Sequence, residues 1–404
     1  MSSKPRFGTP SAIPLLSLLA VLLVAASWLA PLRAQESAPG AQTAQQPSPQ
    51  PSARPSGHPS AQRADQPIVT DLERLLATRP DLEAALLESL GKANWNGVTT
   101  LDAYYAYLND AVTRLPRAGS LLDDAVAFYY LVNQSETLRD SEPFQQWVIR
   151  FVQDWGAFMD TPASTAAIQS FYADPRYRMD DYYVGPGGWQ SFNQFFAREV
   201  KPGRRPVAGR CDDAVIVSPA DSVFLGTWPI AGDATIEAKG ITYSITSLLQ
   251  DSAYGEAFKG GTFTHAFLNV NDYHRFHTPV AGKVLEAKVI LGETDLEVAR
   301  APDGDGIEPL DPVGYQFTQA RGLLLLDSDA VGLVAVLPIG MAQVSSVTLT
   351  PDVGAELAKG EEFGFFQFGG SDIIMVFQPD RVRLTADVDR HYLQGQQIGE
   401  RIAP

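Results

Sequence analysis

Ser371 follows two glycines, Gly369 and Gly370, inside the run from Phe365 to Phe377, which is otherwise almost wholly apolar. The run reads as two apolar strands meeting at Gly-Gly-Ser, and the second of them, 373–377, calls for burial on both faces. Glycines there give backbone freedom and close approach, which an attacked peptide bond needs; the structural alternative is a glycine bulge in a core strand. His274 and His277 lie three apart in Asn271-Asp272-Tyr273-His274-Arg275-Phe276-His277-Thr278-Pro279, where a helical turn would put them on one face. A neutral imidazole can take a proton and return it near pH 7, so acid–base work fits, against a bland reading as loop-corner hydrogen bonds. Zinc would need two further ligands, and only His265, Asp272 and scattered carboxylates are at hand. Asp221, in Val217-Ser218-Pro219-Ala220-Asp221-Ser222, is by itself a turn residue. As a partner it could hold an imidazole in one tautomer, as the acid of a Ser-His-Asp arrangement does. Asp303-Gly304-Asp305-Gly306-Ile307-Glu308 lacks the spacing of a calcium loop and reads as a solvated hairpin.

The elements that must position these residues are legible in outline. The chain has 404 residues, 45% of them hydrophobic, and a formal charge of −16, which argues against nucleic acid and offers no attraction to an anionic lipid surface. The single cysteine, Cys211, rules out an internal disulfide. Lys4 and Arg6 precede an apolar run at about 12–32, so residues 1–34 read as an export signal; the run is also long enough to be an uncleaved membrane anchor. Residues 35–66, rich in Gln, Ala, Pro and Ser, read as a disordered linker. Residues 67–190 carry apolar and aromatic side chains at helical spacing, over about 71–76, 81–90, 101–115, 121–132, 144–158 and 166–172, with Trp147 and Trp155 in the expected core. From 191 to 404 short β-type runs separated by Gly, Pro and Asp take over, at 214–217, 222–228, 262–270, 282–290, 332–338 and 341–349. The fold class is therefore α+β, a helical accessory domain followed by a β-rich domain.

Thr278-Pro279-Val280-Ala281-Gly282-Lys283-Val284 and Leu357-Ala358-Lys359-Gly360-Glu361-Glu362-Phe363-Gly364 resemble strands of biotinyl/lipoyl-type sandwiches. The lysine signatures of those carriers are missing, so a swinging-arm role does not follow. Taken together, Asp221, His274, His277 and Gly370-Ser371 resemble the phosphatidylserine decarboxylase family. Further matching motifs come in the same order. They are Phe195-Phe196-Ala197-Arg198-Glu199-Val200-Lys201-Pro202-Gly203-Arg204, Asp272-Tyr273-His274-Arg275-Phe276-His277, Pro338-Ile339-Gly340-Met341-Ala342-Gln343-Val344-Ser345-Ser346-Val347, and Lys359 to Gly364. The helical region, with Tyr183-Val184-Gly185-Pro186-Gly187-Gly188-Trp189, looks like the extra domain of a branch that includes soluble tryptophan decarboxylases.

The resemblance implies a self-cleaving, pyruvoyl-dependent decarboxylase. Ser371 attacks the Gly370 carbonyl, the chain breaks between 370 and 371, and Ser371 becomes a pyruvoyl cofactor at the head of a 34-residue piece. His277 oriented by Asp221 would be the base, and His274 would assist decarboxylation. The pyruvoyl ketone would condense with a substrate amine as a Schiff base and act as an electron sink. The implied substrate carries a primary amine and a carboxylate: phosphatidylserine first, or a free amino acid such as tryptophan. Its partners are then that substrate and its own two cleaved chains, with membrane association if the anchor is retained. No metal is implied. Asp372 departs from the family, which usually has threonine after the serine. A β-sandwich binding module that never cleaves is the non-enzymatic alternative.

Overall fold

A computed structural model describes residues 65–403 except 121, 239–240, 293, 295, 302–305, 310–313, 342–346 and 369. The expected export segment, all but the last two residues of the linker, and the Asp303–Asp305 part of the acidic loop lie outside the described residues. Residues 64–404 form one compact unit.

Its first half is helical because the apolar residues recur at helical spacing and the ends carry stop and start signals. Pro67–Thr78 and Pro80–Ala93 each begin with proline, whose missing N–H is no loss in a first turn. Thr100 caps Leu101–Ala111 and Ser141 caps Glu142–Met159, each hydroxyl accepting a backbone N–H of the first turn. Asp123–Val132 is buried along almost its whole length. Trp147 and Trp155 are both core residues, and Trp147 Nε1 donates to the Ile68 carbonyl at 2.9 Å. The run expected at 166–172 is instead a 3₁₀ turn, Pro162–Ala167, and one short helix, Gln169–Tyr172.

The second half is built on an eight-stranded antiparallel sheet. Its order is Glu356–Leu357, Gly282–Ile290, Arg321–Ser328, Gly332–Met341, Gly370–Phe377, Thr262–Leu268, Ser222–Pro229 and Arg390–Tyr392. The strand Gly370–Phe377 sits near the middle, paired along its length with Gly332–Met341 on one side and Thr262–Leu268 on the other. Both faces are covered. Ile373, Met375 and Phe377 join a cluster continuous with the helices. Ile374 and Val376 join a second cluster with Phe263, Leu337 and Ile339, closed over by the hairpin Thr235–Ser244 and the turns that follow it. Alternate side chains of one strand thus serve two cores, which is why the run reads as continuously apolar. The strand expected at 341–349 resolves into the end of Gly332–Met341 and a separate short strand, Val347–Leu349. Thr262–Leu268 stops two residues short of the expected 270.

The helices and the sheet share their core. Trp155 packs on Phe368 with ring centroids 6.1 Å apart, and Asn133 Nδ2 donates to the Leu296 carbonyl at 2.9 Å.

Ile374→Ala removes three buried carbons from a side chain with no exposure, so it should lower stability by about 2–5 kcal/mol in equilibrium urea unfolding. Leu291→Ala, at a side chain 86% exposed, should stay within about 0.5 kcal/mol of wild type. Equal effects would show that the strand is not where the core lies.

Candidate active site

Ser371 is the second residue of the strand Gly370–Phe377, opposite Gly340 on one neighbour and Leu268 on the other. It is fully buried, and its Oγ has no hydrogen-bond partner among the described residues. A buried hydroxyl left unpaired costs about 1–3 kcal/mol, so such an atom calls for an explanation. Among the described residues nothing competes for its lone pairs, and the carbonyl of Gly370 is next to it along the chain.

Aromatic rings link the segment before Ser371 to the first histidine. Three residues upstream, Phe368 packs edge-on against Phe196 with centroids 6.0 Å apart, and its N–H donates to Asn193 Oδ1 at 3.1 Å. Phe196 lies on the short helix Phe192–Phe196, capped by the Ser191 hydroxyl. Its other neighbour is His274, stacked on it with centroids 3.9 Å apart. The His274 carbonyl accepts the Phe366 N–H at 2.9 Å, which ties this loop to the strand before the glycines. His274 has no exposure and neither ring nitrogen has a hydrogen-bond partner among the described residues. Burial first, and the nearby Arg198 charge second, hold its pKa well below the ordinary imidazole value, so the ring is neutral.

His277 closes the strand Arg275–His277; the two histidines are therefore not on one helical turn but on a loop and a strand end. Its Nδ1 lies 3.0 Å from the Gly360 carbonyl, which can only accept, so Nδ1 carries the proton. Nε2, 3.1 Å from the Tyr273 hydroxyl, is then the lone-pair nitrogen and accepts from that phenol. Burial pushes the His277 pKa down to about 4, against the Gly360 hydrogen bond, which favours the charged form. Burial likewise pushes the Tyr273 phenol far above its usual value. Gly360 suits its place: φ is +77°, and a Cβ there would collide with Val207.

Asp221 is also buried, but its carboxylate is held by Arg205, which donates from Nε at 2.8 Å and from a terminal nitrogen at 2.6 Å, and by the Gln394 N–H at 2.8 Å. No hydrogen bond joins it to His277. The link between them is backbone: the His277 N–H donates to the Pro219 carbonyl at 2.7 Å, in the turn that presents Asp221. Asp221, His274, His277 and Ser371, singled out in the sequence as site candidates, are all buried here; sequence reasoning did not supply Arg205 or Gly360. Gly360 lies inside a quoted motif and Arg205 one residue beyond another, but nothing in their spacing marked them as hydrogen-bond partners. Arg198 was missed in the same way. It is buried, lies over the Tyr182 ring at 4.2 Å, and donates to the Asn271 and Asp272 carbonyls at 2.7 and 2.8 Å. That grip fixes the loop leading into His274.

The orphaned Ser371 Oγ and the two unpaired His274 nitrogens are buried polar atoms that the uncut chain leaves unused. Unpaired buried polar atoms of this kind mark the region as a candidate reactive site.

Comparison with known proteins gives the same direction. A family profile described as phosphatidylserine decarboxylase matches residues 192–400, just over half of the chain. Decarboxylase iboD of Amanita muscaria is 30% identical over 315 residues, covering 68% of this chain and 89% of that protein. The phosphatidylserine decarboxylase proenzyme of Fusobacterium nucleatum is 32% identical over 244 residues, 59% of this chain and 77% of that one. Phosphatidylserine decarboxylase proenzyme 3 of Schizosaccharomyces pombe is 32% identical over 260 residues, 62% of this chain but 26% of that longer protein. With a match of that extent lying over the strand, the histidines and the serine described above, this chain belongs to the phosphatidylserine decarboxylase family and is a carboxy-lyase.

Proposed function

We propose that the chain cleaves itself between Gly370 and Ser371 to make a pyruvoyl group, and then converts phosphatidylserine to phosphatidylethanolamine and CO2. The observation that carries this reading is the Ser371 hydroxyl, fully buried, unpaired and adjacent to the Gly370 carbonyl in a strand held on both sides.

In this reading Ser371 Oγ attacks the Gly370 carbonyl carbon, and the amide becomes an ester as the C–N bond breaks. A base must take the hydroxyl proton, and His277 Nε2, aligned by Gly360 on the far side of the ring, suits that task once the Tyr273 hydroxyl that donates to it turns aside. Removal of the Ser371 Cα proton then breaks the ester C–O bond. Gly370 leaves as a carboxylate, and water replaces the nitrogen at residue 371, releasing ammonia. Arg205 and Asp221 act at one remove, by fixing the turn whose Pro219 carbonyl holds the His277 backbone. The pyruvoyl group supplies an electron sink for the carbanion left by CO2 loss. His274, neutral on the Phe196 face, can take up or deliver one proton there, and Phe196, itself backed by Phe368, covers one face of the ring. An exported location, read from the basic and then apolar N-terminus, is part of the proposal.

A second substrate, a free amino acid such as tryptophan, has one observation in its favour. The 315-residue match to Decarboxylase iboD is longer than the stretch from 192 to the C-terminus can supply, so it reaches into the helices; that relative is not named for phosphatidylserine.

Intact mass under denaturing conditions should give a fragment of residues 371–404 without a free N-terminal amine, absent from Ser371→Ala. One uncut chain in both would move the reading to a binding module. Carboxyl-labelled phosphatidylserine in mixed micelles should then release CO2; release from tryptophan alone would decide for the second substrate.

The pH dependence follows from His277. Its folded pKa of about 4 lies below the unfolded imidazole value, so the base stays neutral as pH falls through 6.5. Self-cleavage of freshly translated chain should therefore be flat from about pH 8 to about pH 5 and fall below that. Native stability contributed by the neutral ring is present above pH 6.5 and is lost as pH falls towards 4, because the unfolded chain then binds more protons. A cleavage midpoint near 6.5 would show that His277 is not the base.

A further inference from the structure

The strand that carries Ser371 holds a second buried polar group on its opposite face, and none of the chemistry above uses it. Asp372 has no exposure. One carboxylate oxygen lies 3.2 Å from His265 Nε2 and accepts a hydrogen bond from the Tyr315 hydroxyl; the other has no partner among the described residues. Gln316 Nε2 lies 3.4 Å from His265 Nε2. In the ladder Asp372 stands opposite Phe267 and Ile374 opposite His265, so Asp372 and His265 are diagonal neighbours on one face. That face also carries the apolar Phe263, Ile339, Ile374 and Val376, and the buried Arg321 in the same row beyond Ile339, its guanidinium turned to the Leu248, Gln319 and Ser247 carbonyls. Side chains alternate, so the Ser371 hydroxyl is directed to the other face and Asp372 does not reach it. An apolar residue would be cheaper to bury at 372 than a carboxylate, so stability alone does not account for the cluster.

We propose that Asp372, gripped by His265 and Tyr315, is a positioning residue that fixes the first residue of the small chain once the 370–371 bond is broken; this rests on the self-cleavage reading. Before cleavage residue 371 is restrained by covalent bonds on both sides. Afterwards it is a chain end, and chain ends fray unless they are tied down. Residue 372 carries the nearest side chain that can serve as a tether. Its two donors come from separate elements, His265 on the neighbouring strand and Tyr315 on the turn Tyr315–Phe317. Held from both, the 372 backbone keeps its direction, and with it the place of the carbonyl at 371. Reaction rates are steeply sensitive to such placement.

The test uses the full chain with Asp372→Ala, Asp372→Asn and His265→Gln, beside the wild type. Denaturing intact mass should show the fragment beginning at 371 in all of them. In CO2 release, with phosphatidylserine or tryptophan according to which the wild type uses, Asp372→Ala should lose about 10- to 100-fold in kcat with KM within about 3-fold. Asp372→Asn and His265→Gln should lose less. Labelling of the ketone by hydroxylamine, a small reagent that needs no orientation, should reach the wild-type extent in each. A raised KM with kcat unchanged would make Asp372 a substrate contact, and an uncut variant would place its role before bond breakage. Unchanged kinetics would make the cluster packing. Each of these overturns the positioning role alone, whereas an uncut wild type overturns the self-cleavage reading with it. Should Asp372→Ala fail to fold, the two conservative variants still decide the matter.

Discussion

Everything in the site depends on one strand being held from four directions. Gly370–Phe377 is hydrogen-bonded along both edges and buried on both faces. Each of its large apolar side chains contributes about 1.5–3 kcal/mol by leaving water, and no edge is left from which the strand could peel. The N-terminal end of such a strand is therefore a fixed point at which a reactive atom can be placed accurately. It is also the one place where a break in the chain need not release the piece that follows, because pairing and burial continue without it.

Burial of that quality has an electrostatic consequence. His274 has no exposure and His277 little, and desolvation is the largest influence driving both towards the neutral form. A neutral imidazole with one nitrogen committed to a carbonyl, as Nδ1 of His277 is to Gly360, has a single lone pair in a known direction, here held by the Tyr273 hydroxyl. The two buried arginines work on backbone and carboxylate. Arg205 neutralises Asp221, and Arg198 holds the carbonyls ahead of His274. His391 runs the other way. Burial disfavours its charge, but the hydrogen bond and charge of Asp272 outweigh that and raise its pKa.

The α+β class, the helical core with Trp147 and Trp155, and the strand pair around Gly-Gly-Ser were legible because each rests on local periodicity. The site residues were legible as types, since Ser371, His274 and His277 stand in unusual company. Their connections were not, because a hydrogen bond between His277 and Gly360 joins residues 83 apart. Asp221 illustrates the limit: a buried aspartate beside a buried histidine invites a direct bond, yet its carboxylate is taken by Arg205, 16 positions upstream. Tyr315, which reaches Asp372 from a short turn, carried no signal at all in its surroundings.

The alternation of side chains gives the strand two separate faces. Odd positions face the core shared with the helices, and Ser371 is one of them; even positions face the second core, and Asp372 is one of those. Adjacent residues therefore occupy separate environments less than 4 Å apart along the backbone. A change at 372 can alter where residue 371 sits without touching what surrounds the serine hydroxyl. A change in the Phe196–His274 stack can alter that surrounding without moving the strand. In the proposed reading, placement of the reactive carbonyl and proton handling around it belong to opposite faces of one sheet, so each could vary while the other is kept.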